Sequence, residues 1–229
     1  MIISHKHKFI FLKTSKTAGT SMEIALSKYC GPEDIITPIS DSDERLRREL
    51  GFRGAQNFVI PFARYSFMNW IDALSGRRRL QFFNHMPAKE VKRIIGNKQW
   101  NGYFKFCFER NPWDRLISLY YWRCKQEPRP SIAEFLNSGA MDLMKQKGFD
   151  VYAIDGKLSV DMVYRYENLQ EALEDIRIRL GIREPLSLPK AKGEFRLDRR
   201  PYQEVLSDEE KELIAQRFSE EISIFGYSF

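Results

Sequence analysis

Cysteine and histidine are scarce in this chain of 229 residues, with three of each. Cys30, Cys107 and Cys124 are odd in number and lack metal-ligand spacing, so neither a disulfide framework nor a structural zinc site is expected. Cys30 and Cys107 fall in apolar stretches, where a free thiol behaves as a small hydrophobe, and a reducing compartment fits them. Long apolar runs are also missing. None approaches the roughly 20 residues of a membrane-spanning helix, so no integral membrane segment is expected. Residues 1–8 run almost directly into an apolar stretch, which leaves no room for a signal peptide and points to the cytoplasm. Internal repeats and low-complexity linkers are absent as well.

What is present is aromatic and basic. An aromatic share of 14% in a chain of this length can build a core without staples, and one domain over residues 1–229 is expected. Apolar strand-like runs alternate with helical patterns, which predicts an α/β fold with a mostly parallel sheet covered on both faces. The formal charge of +6 favours acidic ligands. No DNA- or RNA-binding signature accompanies it, so nucleic acid is not the expected partner.

Residues 8–14 have the length and composition of a buried strand. Ser15-Lys16-Thr17-Ala18-Gly19-Thr20-Ser21 follows, and then Met22, Ala25, Leu26 and Tyr29 recur at helical spacing until Gly31-Pro32. Small residues in the loop let the backbone approach a ligand, and the first helical turn offers unpaired N–H groups and the positive end of its dipole. Thr17, Thr20 and Ser21 add hydroxyls and Lys16 a cation, a set suited to phosphate or sulfate. A kinase-type loop needs its lysine after the second glycine; here the lysine precedes the only one.

A second stretch has the same strand-to-helix form. Residues 103–109 alternate aromatic and polar residues, and Arg110-Asn111-Pro112-Trp113-Asp114-Arg115-Leu116-Ile117-Ser118 follows. Asn111 can cap a helix whose first residue is Pro112. Arg110 and Ser118 together make a clamp for a phosphate.

These two segments resemble the paired signatures of sulfotransferases that use 3′-phosphoadenosine 5′-phosphosulfate (PAPS). Arg165-Tyr166-Glu167-Asn168-Leu169 and Phe225-Gly226-Tyr227 are similar to the branch that sulfates carbohydrates. The resemblance implies a P-loop-like three-layer αβα domain, PAPS as sulfuryl donor, a carbohydrate hydroxyl as acceptor and no metal. It implies that Lys16, Thr17, Ala18, Gly19, Thr20 and Ser21 cradle the 5′-phosphosulfate, with Lys16 stabilising the leaving oxygen, and that Arg110 and Ser118 take the 3′-phosphate. Arg200 and Tyr202 resemble positions that close over the cofactor, although Lys190-Ala191-Lys192-Gly193 departs from the family pattern. Carbohydrate-sulfating relatives in eukaryotes are usually membrane-anchored, so the chain reads as a bacterial cytoplasmic enzyme or a trimmed catalytic domain. A nucleotide-dependent kinase and a non-catalytic nucleotide- or glycan-binding module are the alternatives.

A base must take the acceptor proton. His5 and His7 lie in the charged leader, whereas His85 sits between a strand candidate and a helix that begins at Pro87, the kind of edge where α/β sites form. Its other reading is a cap for that helix. Asp41, Asp43 and Glu44 form the next candidate group. Elsewhere, residues 57–74 are expected to form a buried aromatic helix or an aromatic wall of the acceptor cleft. Residues 80–84 read as a short strand, Asp155-Gly156 as a hairpin turn, and Ser131 and Ser207 as helix caps.

Overall fold

The computed structural model describes residues 1–64, 80–189 and 200–229. Five short strands form its main sheet: β1 (Ile2–Ser4), β2 (Phe9–Phe11), β3 (Ile35–Ile36), β4 (Phe104–Glu109) and, after a small hairpin of β5 (Ala153–Ile154) and β6 (Lys157–Leu158), β7 (Met162–Arg165). The order is β3-β1-β2-β4-β7. β2–β4 and β4–β7 pair in parallel, while β1 is antiparallel to both of its neighbours. Only β1 therefore runs against the rest, and the sheet is mixed but mostly parallel, as an α/β three-layer fold requires.

Side-chain alternation explains the three layers. Phe9, Phe11, Phe106 and Phe108 point to one face and pack with Met22, Leu26, Leu173 and Ile176 from α1 (Gly19–Ser27) and a later helix over Leu169–Arg179. Ile10, Leu12 and Cys107 point to the other face, onto Val91, Ile94, Trp100 and Phe149. Adjacent residues on one strand thus bury against different helical layers. A third cluster packs the helix after β4, Pro112–Arg123, against Ile214, Phe218 and Tyr227 near the C-terminus. No helix among the described residues is long and apolar enough to cross a membrane.

Local rules hold at most punctuation points. Asn111 accepts from the Trp113 and Asp114 amides to cap the Pro112 helix, Ser131 and Ser207 make full capping boxes, and Asp155-Gly156 turns the β5–β6 hairpin. The helix expected over residues 57–74 does not form in residues 57–64. Ile60 and Phe82 instead exchange ladder bonds with Leu80 and Phe58, and a short 3-10 turn occupies Phe62–Arg64. Pro61 is the physical reason, since it has no N–H and disfavours helical backbone at Ile60. The strand expected over 80–84 is reduced to a single bridge, Val59 to Gln81. Residues 65–74, with most of the expected aromatic wall, and the basic run 76–79 lie outside the described residues.

Candidate active site

β2 and β4 are parallel neighbours, so the loops leaving their carboxyl ends meet at one edge of the sheet. A cavity of about 330 Å³ opens there. After β2 the backbone turns through two left-handed residues, Lys16 at φ 64° and Ala18 at φ 58°. Such a turn aims successive N–H groups into one concavity suited to an anion. Ala18 precedes α1 and has no side chain able to cap it, so the first-turn amides are left for whatever enters the cavity. Gly19 is required by close approach: a Cβ there would stand 2.8 Å from Lys13 Cγ and 3.1 Å from the Thr14 carbonyl oxygen.

Lys16, Ala18, Gly19, Thr20, Ser21, His85, Arg110 and Ser118 all border this cavity. Thr17 does not. Its hydroxyl turns inward, 2.8 Å from that of Thr14, and the residue is buried, so only its backbone belongs to the loop surface. Arg110 joins the two motifs by donating from Nη1 to the Lys16 carbonyl at 3.2 Å. Its Nε and Nη2 are held by Asp114 at 2.8 and 2.6 Å, and its guanidinium lies 4.3 Å from the Tyr166 ring centroid. The fork is therefore preset, with one edge turned to the loop.

Tyr202 and Arg200 do not border the cavity. The Tyr202 hydroxyl accepts from Asn111 Nδ2 at 3.1 Å and its ring packs on Phe229, making it a brace for the C-terminus. Arg200 is exposed beside residues 190–199, which are not described. The acidic candidates also stay outside. Asp43 is hydrogen-bonded by Ser40, and Glu44 is spent on Arg47 and the Ile39 amide.

His85 does reach the cavity, and it does not cap the following helix, Ala88–Ile95, where Pro87 is the cap residue. Its Nδ1 donates to the Lys13 carbonyl at 2.8 Å. Only a protonated Nδ1 can donate to a carbonyl, so the neutral ring carries its lone pair on Nε2. Burial and then the Lys13 charge hold its pKa down at about 3. The imidazole is thus neutral across the physiological range, with the Nε2 lone pair unprotonated. Lys13, a lining residue, forms a buried ion pair with Glu23 at 2.8 Å.

Lys13, Trp122, Lys147 and the Arg115–Gly148 contact were not singled out as site features from the sequence. Arg115 is buried, and its Nε donates to the Ser15 carbonyl at 2.9 Å while Nη1 pairs with Glu109. Gly148 lies against it: a Cβ there would stand 2.3 Å from Arg115 Nη2 and 2.8 Å from the Met144 carbonyl oxygen. Gly148→Ala should therefore displace Arg115 and cost about 1–3 kcal/mol, the range for overpacking. Chemical denaturation checks this, and a stability equal to wild type would show that Arg115 is not held at that contact. Arg115 lies within the second motif and was visible there. Nothing in the sequence marks residues 147–148.

A turn with two left-handed residues, a preset arginine and a neutral imidazole meet where the parallel strands β2 and β4 end, an arrangement whose chemistry suits an anionic ligand. The chain belongs to the sulfotransferase family, whose profile matches residues 1–228, and sulfuryl transfer is its reaction class. Mouse sulfotransferase SULT7A1, solved as a complex with PAP, has a similar fold at 12% identity and a TM-score of 0.53, over 99% of this chain and 91% of that one. A sulfotransferase from Alicyclobacillus acidocaldarius aligns at 14% identity and a TM-score of 0.41, over 96% of each chain. An uncharacterized protein from Archaeoglobus fulgidus is 34% identical over 106 residues, covering 45% of this chain and 88% of its own length.

Proposed function

We propose that the protein moves a sulfuryl group from PAPS to a hydroxyl of a carbohydrate acceptor. The observation that carries this reading is the charge of the cavity. Lys13, Lys16, Arg110 and Lys147 line it together with His85, and among the described residues no carboxylate does. A nucleotide delivered with magnesium calls for acidic ligands near its phosphates, which this lining does not offer. A donor whose anionic groups are bound directly by amides and cations suits it. That the mouse relative was solved with PAP supports the same donor.

The bound donor supplies an activated sulfuryl group and an anionic leaving group. The amides of the Lys16–Ser21 turn would hold its 5′ end, with the Thr20 and Ser21 hydroxyls beside them. Arg110 and Ser118 would hold its 3′-phosphate. Lys16, whose ammonium lies 5.4 Å from the Trp122 ring centroid, neutralises charge as it develops on the leaving oxygen. His85 Nε2 accepts the proton of the attacking hydroxyl. Tyr202 and Arg200 receive no role in this scheme.

The carbohydrate assignment has two supports. Trp122 and Leu119 give one wall a ring and an apolar face on which a sugar could stack. The segments around Tyr166 and Tyr227 resemble the carbohydrate branch, and they converge on the second motif: Glu167 accepts from the Asn111 amide at 2.7 Å, with the Tyr227 hydroxyl 3.5 Å from the same carboxylate. A glycan array probed with labelled donor tests the acceptor, and transfer only to small phenols or alcohols would overturn it. For the donor, Arg110→Ala should weaken binding of 3′,5′-adenosine bisphosphate by about 2–5 kcal/mol while leaving 5′-AMP nearly unaffected. Equal weakening of both nucleotides in calorimetry would remove the 3′-phosphate assignment.

A further inference from the structure

The leading cation of each motif lies over an aromatic ring that borders the cavity. The Arg110 guanidinium lies over Tyr166, and the Lys16 ammonium lies over Trp122 at 5.4 Å from its centroid. The two rings do not add the same thing. Arg110 is also held by Asp114 through Nε and Nη2 and donates to the Lys16 carbonyl through Nη1, so Tyr166 is one restraint among several. Lys16 is fixed at its backbone. Its φ is 64° and its carbonyl is taken by Arg110. The residue before it is tied twice, the Ser15 amide to the Lys147 carbonyl at 2.8 Å and the Ser15 carbonyl to Arg115 Nε at 2.9 Å. Beyond Cα, a flexible four-carbon stem carries a compact point charge. A fixed main chain does not decide where that charge sits.

Trp122 is placed to decide it. It lies on the helix Pro112–Arg123, four residues after Ser118, so the two share a face, and both border the cavity. The helix that presents the proposed 3′-phosphate clamp therefore presents a ring to the loop lysine one turn beyond Ser118. That ring is 37% exposed, whereas Trp113 at the start of the same helix is buried, so Trp122 adds little to the core. It also draws a second cation, Lys125, whose ammonium lies 5.9 Å from its centroid. A cation over a tryptophan face is attracted by the ring quadrupole, and the attraction strengthens as water is excluded.

We infer that Trp122 is a positioning residue for Lys16, holding the ammonium at the cavity wall for the 5′ end of the donor. Binding a 5′-phosphate then orders less side chain, because the ammonium is already confined. The same confinement sets a positive charge where the leaving oxygen develops its negative one. The inference rests on the assignment of the Lys16–Ser21 turn to the 5′ end of the donor.

Calorimetric titration without acceptor separates this role from any stacking of a sugar on the ring. Trp122→Leu should weaken 3′,5′-adenosine bisphosphate by about tenfold, within the span of a cation–π contact. Adenosine 3′-phosphate has no 5′-phosphate for Lys16, so its affinity should barely move. Trp122→Phe keeps a π face and should recover most of the loss. In a Lys16→Met background Trp122→Leu should have no further effect, the signature of a residue that acts through its neighbour. Should Lys16→Met bind too weakly to titrate, the comparison of the two nucleotides decides alone. Should Trp122→Leu fold poorly, Trp122→Gln serves in its place. An equal fall for both nucleotides would place the ring against the nucleoside itself and overturn the inference, as would wild-type affinity in Trp122→Leu. A wild type that binds neither nucleotide, or both equally, overturns the donor assignment and takes this inference with it.

Discussion

Replacing His85 with asparagine should leave a folded protein that binds 3′,5′-adenosine bisphosphate normally and turns over at least a hundredfold more slowly. That loss lies within the roughly 10²–10⁴-fold contribution of a general base. Asparagine is the informative substitution because its Nδ2 can still donate to the Lys13 carbonyl, as His85 Nδ1 does at 2.8 Å, but it offers no basic nitrogen toward the cavity. Because burial and Lys13 hold the wild-type imidazole at about 3, no acid limb from His85 is expected near neutral pH in the ligand-free enzyme. A bound anion would raise that value, so any acid limb should show in kcat before it shows in kcat/KM. Retention of most activity by His85→Asn would mean that the proton leaves by another route.

The same residue makes a prediction about stability. A histidine whose folded-state pKa is lowered costs stability as pH falls, since the unfolded chain takes up a proton that the fold refuses. The cost begins at the ordinary 6.5 and grows by about 1.4 kcal/mol per pH unit until about 3. Glu221 has the opposite sign: its folded-state value is raised, so stability is lost as pH rises from the ordinary 4.5 to about 7. Between 4.5 and 6.5 the two slopes oppose one another. Relative to wild type, the melting profile of His85→Asn should tilt downward with rising pH in that window, and that of Glu221→Gln upward.

The parts of this site written in contiguous residues were legible before the structure. A strand, a small-residue turn and a helix announce themselves through local period and composition, and Asn111-Pro112 marks the start of the second helix by itself. The hairpin at Asp155-Gly156 and the capping boxes at Ser131 and Ser207 are local for the same reason. What was not legible depends on chain segments meeting. Gly148 matters only because Arg115 lies across it, and Lys147 only because its carbonyl takes the Ser15 amide. Residues 57–64 were misread because aromatic spacing was given more weight than Pro61. Thr17 was misread because a loop hydroxyl can as easily turn toward Thr14 as toward a ligand. Tyr202 marks the limit of reasoning by likeness, since its hydroxyl is engaged by Asn111 and it does not line the cavity.

The largest loss of stability is expected from Glu23→Gln. Glu23 lies on the buried face of α1 with 0% exposure. Lys13 Nζ is 2.8 Å away, the Met1 amine 2.9 Å and Arg47 Nη2 3.7 Å, and the Thr37 hydroxyl donates to it at 3.0 Å. Burial alone would raise such a carboxyl, but Lys13, joined by the Met1 amine where that is charged, outweighs it and holds Glu23 at about 2. Burial lowers the amine itself to about 5, so near neutrality Lys13 is the one of the two that keeps its charge. Removing the charge leaves Lys13 and Arg47 buried, with Glu44, among the described residues, still paired to Arg47. Breaking a buried pair in this way costs about 3–5 kcal/mol. The sign of the pH dependence follows from the lowered pKa: the contribution is whole above the ordinary 4.5 and is lost as pH falls through about 2. The gap between wild type and variant in urea unfolding should therefore be widest near neutrality and close in strong acid. The effect also reaches the reaction, because the Lys13 carbonyl holds His85 and the Lys13 ammonium helps keep that ring neutral. With Lys13 released from Glu23, turnover should fall along with stability. A variant that unfolds within about 1 kcal/mol of wild type at neutral pH, below the range for a broken buried pair, would show that Lys13 and Arg47 reach solvent without Glu23, and that the ion pair beneath the cavity does not hold His85 in place.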